Sequence, residues 1–156
     1  MVFMKGTEIL SLSAGLISEK KQVGSFSVDL TVRSLSRAST GGSLDFGGGE
    51  YTEAEAVNLE PEKSSPEEPY GWWRLEHGNY LVRFNESISL PAKGLIMIVP
   101  HERLLAAGGS HPAVFVERLD QSICLPLQVG PEGLAVKENA RLSKAAVSVD
   151  ASQEDV

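Results

Sequence analysis

The sequence predicts an all-β domain, either a sandwich or a closed barrel-like sheet. Three observations carry this. From Trp72 onward the chain is a succession of short apolar or alternating segments separated by turn-forming residues. Residues 26–33 alternate strictly between apolar and polar side chains. Strands do not alternate with helical segments, which disfavours a Rossmann-type parallel sheet, and no internal repeat is visible.

Taken in order, Thr7 to Leu16 reads as one short N-terminal helix. Thr7 is placed to cap it, Ile9, Leu10 and Leu12 supply a partial apolar face, and Gly15 closes it. Phe26 to Arg33 is a half-buried strand with Phe26, Val28, Leu30 and Val32 on one face and Ser27, Asp29, Thr31 and Arg33 on the other. Gly41 to Gly49 holds five glycines in nine residues. It lacks the Gly-Lys-Ser/Thr ending of a phosphate-binding loop, so it is read as a flexible turn or linker. An acidic, Pro-containing stretch extends it to Pro69, making a flexible insertion at about 41–69 of the kind that is functional or disordered.

Asn79 to Phe84 and Glu86 to Leu90 are predicted strands around a turn at Asn85. Gly94 to Val99 is apolar throughout and ends at Pro100, as a strand buried on both faces would. His101 to Gly109 is the one helix-like interruption. Strands are then expected at Ala113–Leu119, Ile123–Val129, Leu134–Lys137 and Leu142–Val149, with a turn at Gly130-Pro131-Glu132-Gly133.

The chain has 156 residues, which fits one domain over residues 1–149 followed by an acidic tail at 150–156. Its 42% apolar content suffices for one core. The formal charge is −7 from 14 basic and 21 acidic residues, which argues against nucleic acid as a partner. The segment from Glu50 to Pro69 carries −6 and the tail −3, so the rest of the chain stands at +2 and an anionic small ligand is compatible with it. Cys124 is the single cysteine, which excludes an intrachain disulfide and a Cys-rich zinc site. No apolar run approaches a membrane span, and Met1 to Lys5 does not have the layout of a signal peptide, so a soluble cytoplasmic protein is expected.

The three histidines, His77, His101 and His111, form no short-spaced metal pair, and no Gly-x-Ser-x-Gly elbow is present. Cys124 lies in an apolar run and reads as a buried small hydrophobe rather than a nucleophile. Asp29 stands on the polar face of its strand, where solvent exposure is the simple expectation. Glu117 shares a face with Ala113, Phe115 and Leu119. It is either at the mouth of a pocket with a raised pKa, or paired with a base such as Arg118 or Arg103, or an edge-strand acid facing solvent. Trp72 and Trp73 could stack on a base or sugar, or serve as core and strand-entry residues.

Several segments together resemble the dCTP deaminases and the related dUTPases. Ser25-Phe26-Ser27-Val28-Asp29-Leu30-Thr31-Val32 is similar to the family's Pro-Ala-Ser-Val-Asp-Leu-Arg-Leu segment. The run from Tyr80 to Gly94 is similar to one in which a strand leads to a Glu, an aliphatic pair and Leu-Pro. Val114-Phe115-Val116-Glu117 resembles the strand that carries the deaminases' general-base glutamate. Gly133 to Ser143 looks like the closing Gly-Met-Arg-Ile-Gly-Gln segment. The resemblance spans most of the chain outside residues 34–70 and the tail.

It implies a distorted β jelly roll, the β-clip, assembled as a homotrimer with sites between subunits. It also implies a pyrimidine deoxynucleoside triphosphate with Mg²⁺ as ligand, and deamination of cytosine or release of pyrophosphate as chemistry. On this reading Glu117 activates water, Asp29 helps hold Mg²⁺ through water, and His101 and Arg103 bind phosphate. The departures favour the alternative, a family-fold protein without catalysis that acts as nucleotide sensor, regulatory subunit or oligomeric scaffold. Pro100-His101-Glu102-Arg103-Leu104-Leu105 stands where the family has Arg-Ser-Ser-Leu, and Gly108 to Pro112 replaces a longer segment with an Asp-Pro-Gly turn. The family's C-terminal lid is replaced by acids that would repel a triphosphate.

Overall fold

The structure is a computed structural model and describes residues 1–91 and 93–150. The acidic tail expected at 150–156 therefore lies, beyond Asp150, outside the described residues. After β1 (Val2–Phe3), α1 (Gly6–Ser11), β2 (Ser13–Ala14) and α2 (Glu19–Gln22), the chain enters its longest strand, β3 (Val28–Ala38). Then come β4 (Ala56–Leu59), β5 (Trp72–Leu75), β6 (Gly78–Phe84), β7 (Ser87–Ile88) and β8 (Gly94–Pro100). α3 (Glu102–Ala107) leads through β9 (Gly109–Ser110), β10 (Val114–Val116), β11 (Leu125–Val129) and β12 (Leu134–Lys137) to β13 (Arg141–Val149).

The main sheet runs β10-β8-β13-β3-β6-β11-β9, with β1 added to β13 and β4 to β3. Two small ladders, β12-β5 and β2-β7, complete a curled, wholly antiparallel structure of the predicted all-β class. β3 is the hinge of the arrangement. Its first residues pair with β13, and its later residues lie between β6 and β4.

Alternation builds the core. Val28, Leu30 and Val32 of β3, Ile96 and Ile98 of β8, and Ala145 and Val147 of β13 are fully buried. Leu125, Leu127 and Val129 of β11 point inward while Pro126 and Gln128 face out. Fully burying a side chain of Leu, Ile or Val size contributes about 1.5–3 kcal/mol, so these interleaved rows dominate the stability.

Several expectations change. β3 is buried on both faces from Val28 to Val32, because α2 and β13 cover the side that carries Asp29 and Thr31. β8 is not buried on both sides: Ile96 and Ile98 are buried while Leu95, Met97 and Val99 are only half-buried. The first helix stops at Ser11 rather than Leu16, because Ser13 and Ala14 are taken into a ladder with Ile88 and Ser87. Gly15 lies beyond it at φ +84°, where a Cβ would stand 2.4 Å from the Asn85 carbonyl oxygen. α2 is an additional helix, capped by Ser18, whose hydroxyl accepts from the Lys21 amide. Within residues 41–69, read from composition as a flexible insertion, β4 pairs with Leu35–Ala38 and Ser43 pairs with Thr52.

A buried polar pair closes the sheet near its centre. His111 Nδ1 lies 2.8 Å from the Pro112 carbonyl oxygen and Nε2 lies 2.7 Å from Ser143 Oγ. The carbonyl can only accept, so Nδ1 carries the proton and Nε2 accepts from the serine. Burial holds the His111 pKa below its ordinary 6.5, against the pull of the Pro112 carbonyl. A folded-state value below the unfolded one means that the unfolded chain takes up the proton first. The stability contributed is complete above the ordinary histidine value and is lost as the pH falls through the folded-state value. Thermal melts between pH 8 and 5 should show a fall in midpoint on acidification that a His111→Gln variant does not share. Identical pH profiles would sink this assignment.

Candidate functional site

The site is built where β3, β13 and the end of β8 lie side by side. Asp29 of β3 faces Lys144 of β13, and Lys144 in turn faces Val99 of β8. A register shift between Arg141 and Ser143 then matters. Ser143 pairs with Leu30, yet Arg141 pairs with Thr31, so one extra residue is held in β13. In an unbroken ladder Arg141 would share the core-facing row of Leu30 and Val32. The bulge moves it by one position, onto the face of Asp29 and Thr31. There its Nη1 lies 3.2 Å from Asp29 Oδ2 and donates to the Lys21 carbonyl at 3.0 Å.

His101 approaches the same carboxylate oxygen from the other side. Its amide donates to the Leu142 carbonyl, which fixes the chain as it leaves β8. Its Nδ1 accepts from the Arg103 amide at 3.0 Å and so caps α3. The proton is therefore on Nε2, which stands 3.4 Å from Asp29 Oδ2. Asp29 and His101 are both buried. His101 was expected to bind phosphate, but both its ring nitrogens are engaged inside the protein. Next to it Glu102 meets Lys144 Nζ at 2.8 Å, and that hydrogen bond takes the exposed carboxyl down to about 2.

Beside this cluster opens a cleft of about 390 Å³. Arg103, Lys137 and Arg141 line it together with Trp72, over a floor that includes Leu104 and Leu142, and no carboxylate is among the lining residues. Lys137 Nζ is 5.5 Å from the centre of the Trp72 ring, a cation–π distance. Trp73, by contrast, is buried, with its indole N–H donating to the Leu59 carbonyl. The two tryptophans thus divide the two roles the sequence left open: Trp73 is core and Trp72 is wall.

A buried polar chain supports the cleft from behind. Asn139, at its edge, accepts from Asn85 Nδ2 at 2.9 Å, and Asn85 Nδ2 also donates to Thr31 Oγ1. Thr31 donates to the Glu86 carboxylate through both its amide and its hydroxyl, and Gln22 Nε2 donates to Glu86 and to the Asp29 carbonyl. Glu86 is fully buried, with no cation against it among the described residues, and burial raises its pKa although these hydrogen bonds pull it down.

Glu117 lies elsewhere. It follows β10 at the sheet edge, is exposed, and makes no hydrogen bond or ion pair among the described residues. Arg118, one of its expected partners, pairs instead with Asp120. Glu117 borders a second cavity, of about 640 Å³, with Met1, Leu90, Lys93, Gly94 and Asp150. From Asp29 it is separated by three strand spacings of about 4.8 Å and about four residues of about 3.3 Å along the sheet, so one copy of the chain does not bring the two together. Cys124 is half-buried and burial pushes its thiol up, so it stays protonated.

The donors present do not fit a protein-held Mg²⁺. Asp29 Oδ2 is already engaged by Arg141 and His101, and no cluster of three or more His, Cys, Asp or Glu that could hold a metal occurs among the described residues. Lys137 and Arg141 were not singled out from the sequence. Their spacing of four residues around Asn139 is the signal that was there to be read, since Asn139 adopts φ 66° and turns the chain back on itself.

No family model matches the chain, and none of the curated proteins matches it in sequence. Among solved structures it is similar to the 2′-deoxycytidine 5′-triphosphate deaminase of Agrobacterium tumefaciens, with a TM-score of 0.60 and 19% identity, over 95% of this chain and 48% of that one. The chain thus spans about half the length of that structure. No helix among the described residues is long and apolar enough to cross a membrane. What the likeness establishes is the architecture: the chain has a β-rich fold of the dCTP deaminase and dUTPase type.

Proposed function

We propose that the chain acts in pyrimidine deoxynucleotide metabolism. It binds a pyrimidine deoxynucleoside triphosphate in the cleft between α3 and β12–β13, with Mg²⁺ arriving on the phosphates. The carrying observation is that three cationic side chains and an indole converge on one cleft with no carboxylate in its wall. Arg103, Lys137 and Arg141 match a polyphosphate in charge, and Trp72 offers a flat face to a base. The deaminase likeness agrees with a ligand of this class.

Chemistry requires a base, and Glu117 is the residue proposed for it. Its position at the sheet edge of β10 suits a homotrimer in which Glu117 of one copy meets the cleft of the next and activates water. The water would then either displace ammonia from the cytosine ring or cleave pyrophosphate from the nucleotide. Incubation with Mg²⁺ and each of dUTP, dCTP, dTTP and dATP should give turnover of dUTP or dCTP. A Glu117→Gln variant should lose about 10²–10⁴-fold of it, the ordinary worth of general base catalysis.

A second reading, binding without turnover, is favoured by a specific observation. In place of the family's Arg-Ser-Ser segment the chain has His101 and Glu102, both tied into internal contacts. Nucleotide binding with no product from any of the four triphosphates would establish that reading and remove the catalytic one. Neither binding nor turnover would remove both.

A further inference from the structure

We propose that Asp29 is a positioning residue of the cationic cleft: one buried carboxylate oxygen aims two of its three cations. This deepens the reading of the cleft as a polyphosphate site and rests on it. Asp29 Oδ2 is 3.2 Å from Arg141 Nη1, and Arg141 is on that face only because of the bulge in β13. The same oxygen is 3.4 Å from His101 Nε2. Through that contact Asp29 keeps the Nε2–H tautomer, which leaves Nδ1 free to accept from the Arg103 amide. The imidazole thereby caps α3 and holds Arg103 at the lip of the cleft. Lys137 is outside this linkage and rests on Trp72 instead.

Asp29 is not placed to contact ligand, since it does not line the cleft and is buried behind Arg141. Its role is therefore opposite in sign to its charge. A carboxylate near an anion site weakens anion binding by Coulomb repulsion, so neutralising it would strengthen binding if nothing else changed. A positioning carboxylate does the reverse: neutralising it frees the two arginines and weakens binding. The sign of the change separates the two.

The test is calorimetric titration of inorganic triphosphate into the full chain at constant ionic strength. Asp29→Asn is expected to weaken binding about tenfold, roughly one charge-assisted hydrogen bond, although the site has lost a negative charge. The loss should largely vanish in an Arg103→Ala/Arg141→Ala background, because the residues act as a unit. Unchanged or tighter binding by Asp29→Asn overturns the role while leaving the cleft reading intact. No binding by the wild-type chain overturns both. His101→Ala supplies a second arm should Asp29→Asn not fold. Ala removes both the helix cap and the contact to Asp29, and a loss of about threefold is expected from the Arg103 share of the binding. No loss in that variant overturns the role as well.

Discussion

Glu86→Ala is expected to destabilise the fold by about 4 kcal/mol, since each buried donor left without a partner costs about 1–3 kcal/mol. The reason is what the carboxylate satisfies. Truncation strands the Thr31 amide, the Thr31 hydroxyl and one Gln22 amide proton in a place that water does not reach, and leaves a void beside β3. Urea unfolding would show the loss as a lower midpoint at unchanged slope. A change below about 1 kcal/mol would mean that the network contributes nothing beyond filling space.

Glu86→Gln is the informative companion. The Glu86 pKa is raised above its ordinary 4.5 by burial, so the folded chain holds the proton more tightly than the unfolded one. The associated stability is complete below the ordinary value and is lost as the pH rises through the folded-state value. The Gln variant should lack that slope.

The second large effect concerns ligand. Arg103→Ala/Lys137→Ala is expected to reduce triphosphate affinity by about 10²–10³-fold, since a hydrogen bond to a charged group contributes about 1.5–3 kcal/mol. Neither side chain has an ion-pair partner among the described residues, so the fold should be undisturbed. The salt dependence should flatten in parallel, because fewer cations remain to be screened. Affinity retained in the double variant, measured beside an unaltered melting temperature, would put the phosphates somewhere other than this cleft.

What the sequence allowed to be read follows from the range of the interactions involved. The alternation in β3 is local, and it located the buried row of Val28, Leu30 and Val32. Arg103 was identified as a cleft candidate because it stands in the short segment where the related enzymes keep their phosphate contacts. The burial of Asp29 was not legible, since its partners His101 and Arg141 lie far along the chain, and period-2 alternation describes a strand with only one covered face. The bulge at 141–143 was hidden for the same reason: an extra residue in a ladder leaves no trace in composition. α2 escaped because Glu19–Gln22 carries no apolar period, only a serine cap. Glu86 looked like an ordinary strand residue, and nothing nearby announces that Gln22 and Thr31 will enclose it.

The place of β13 in the sheet bears on how the chain acquires its shape. The strand lies between β8 and β3, in the middle of the assembly, and it is the last strand described; the opening residues Val2 and Phe3 also zip onto it. During synthesis, therefore, β1, β3 and β8 emerge before their shared central partner exists. Until Val149 has left the ribosome, the inner edges of β3 and β8 stay open, with Val28, Leu30, Ile96 and Ile98 beside them. Unpaired apolar edges of this kind invite pairing with other chains. The nascent protein is thus most vulnerable to aggregation in the interval before β13 emerges, and it depends on whatever shields it at that moment.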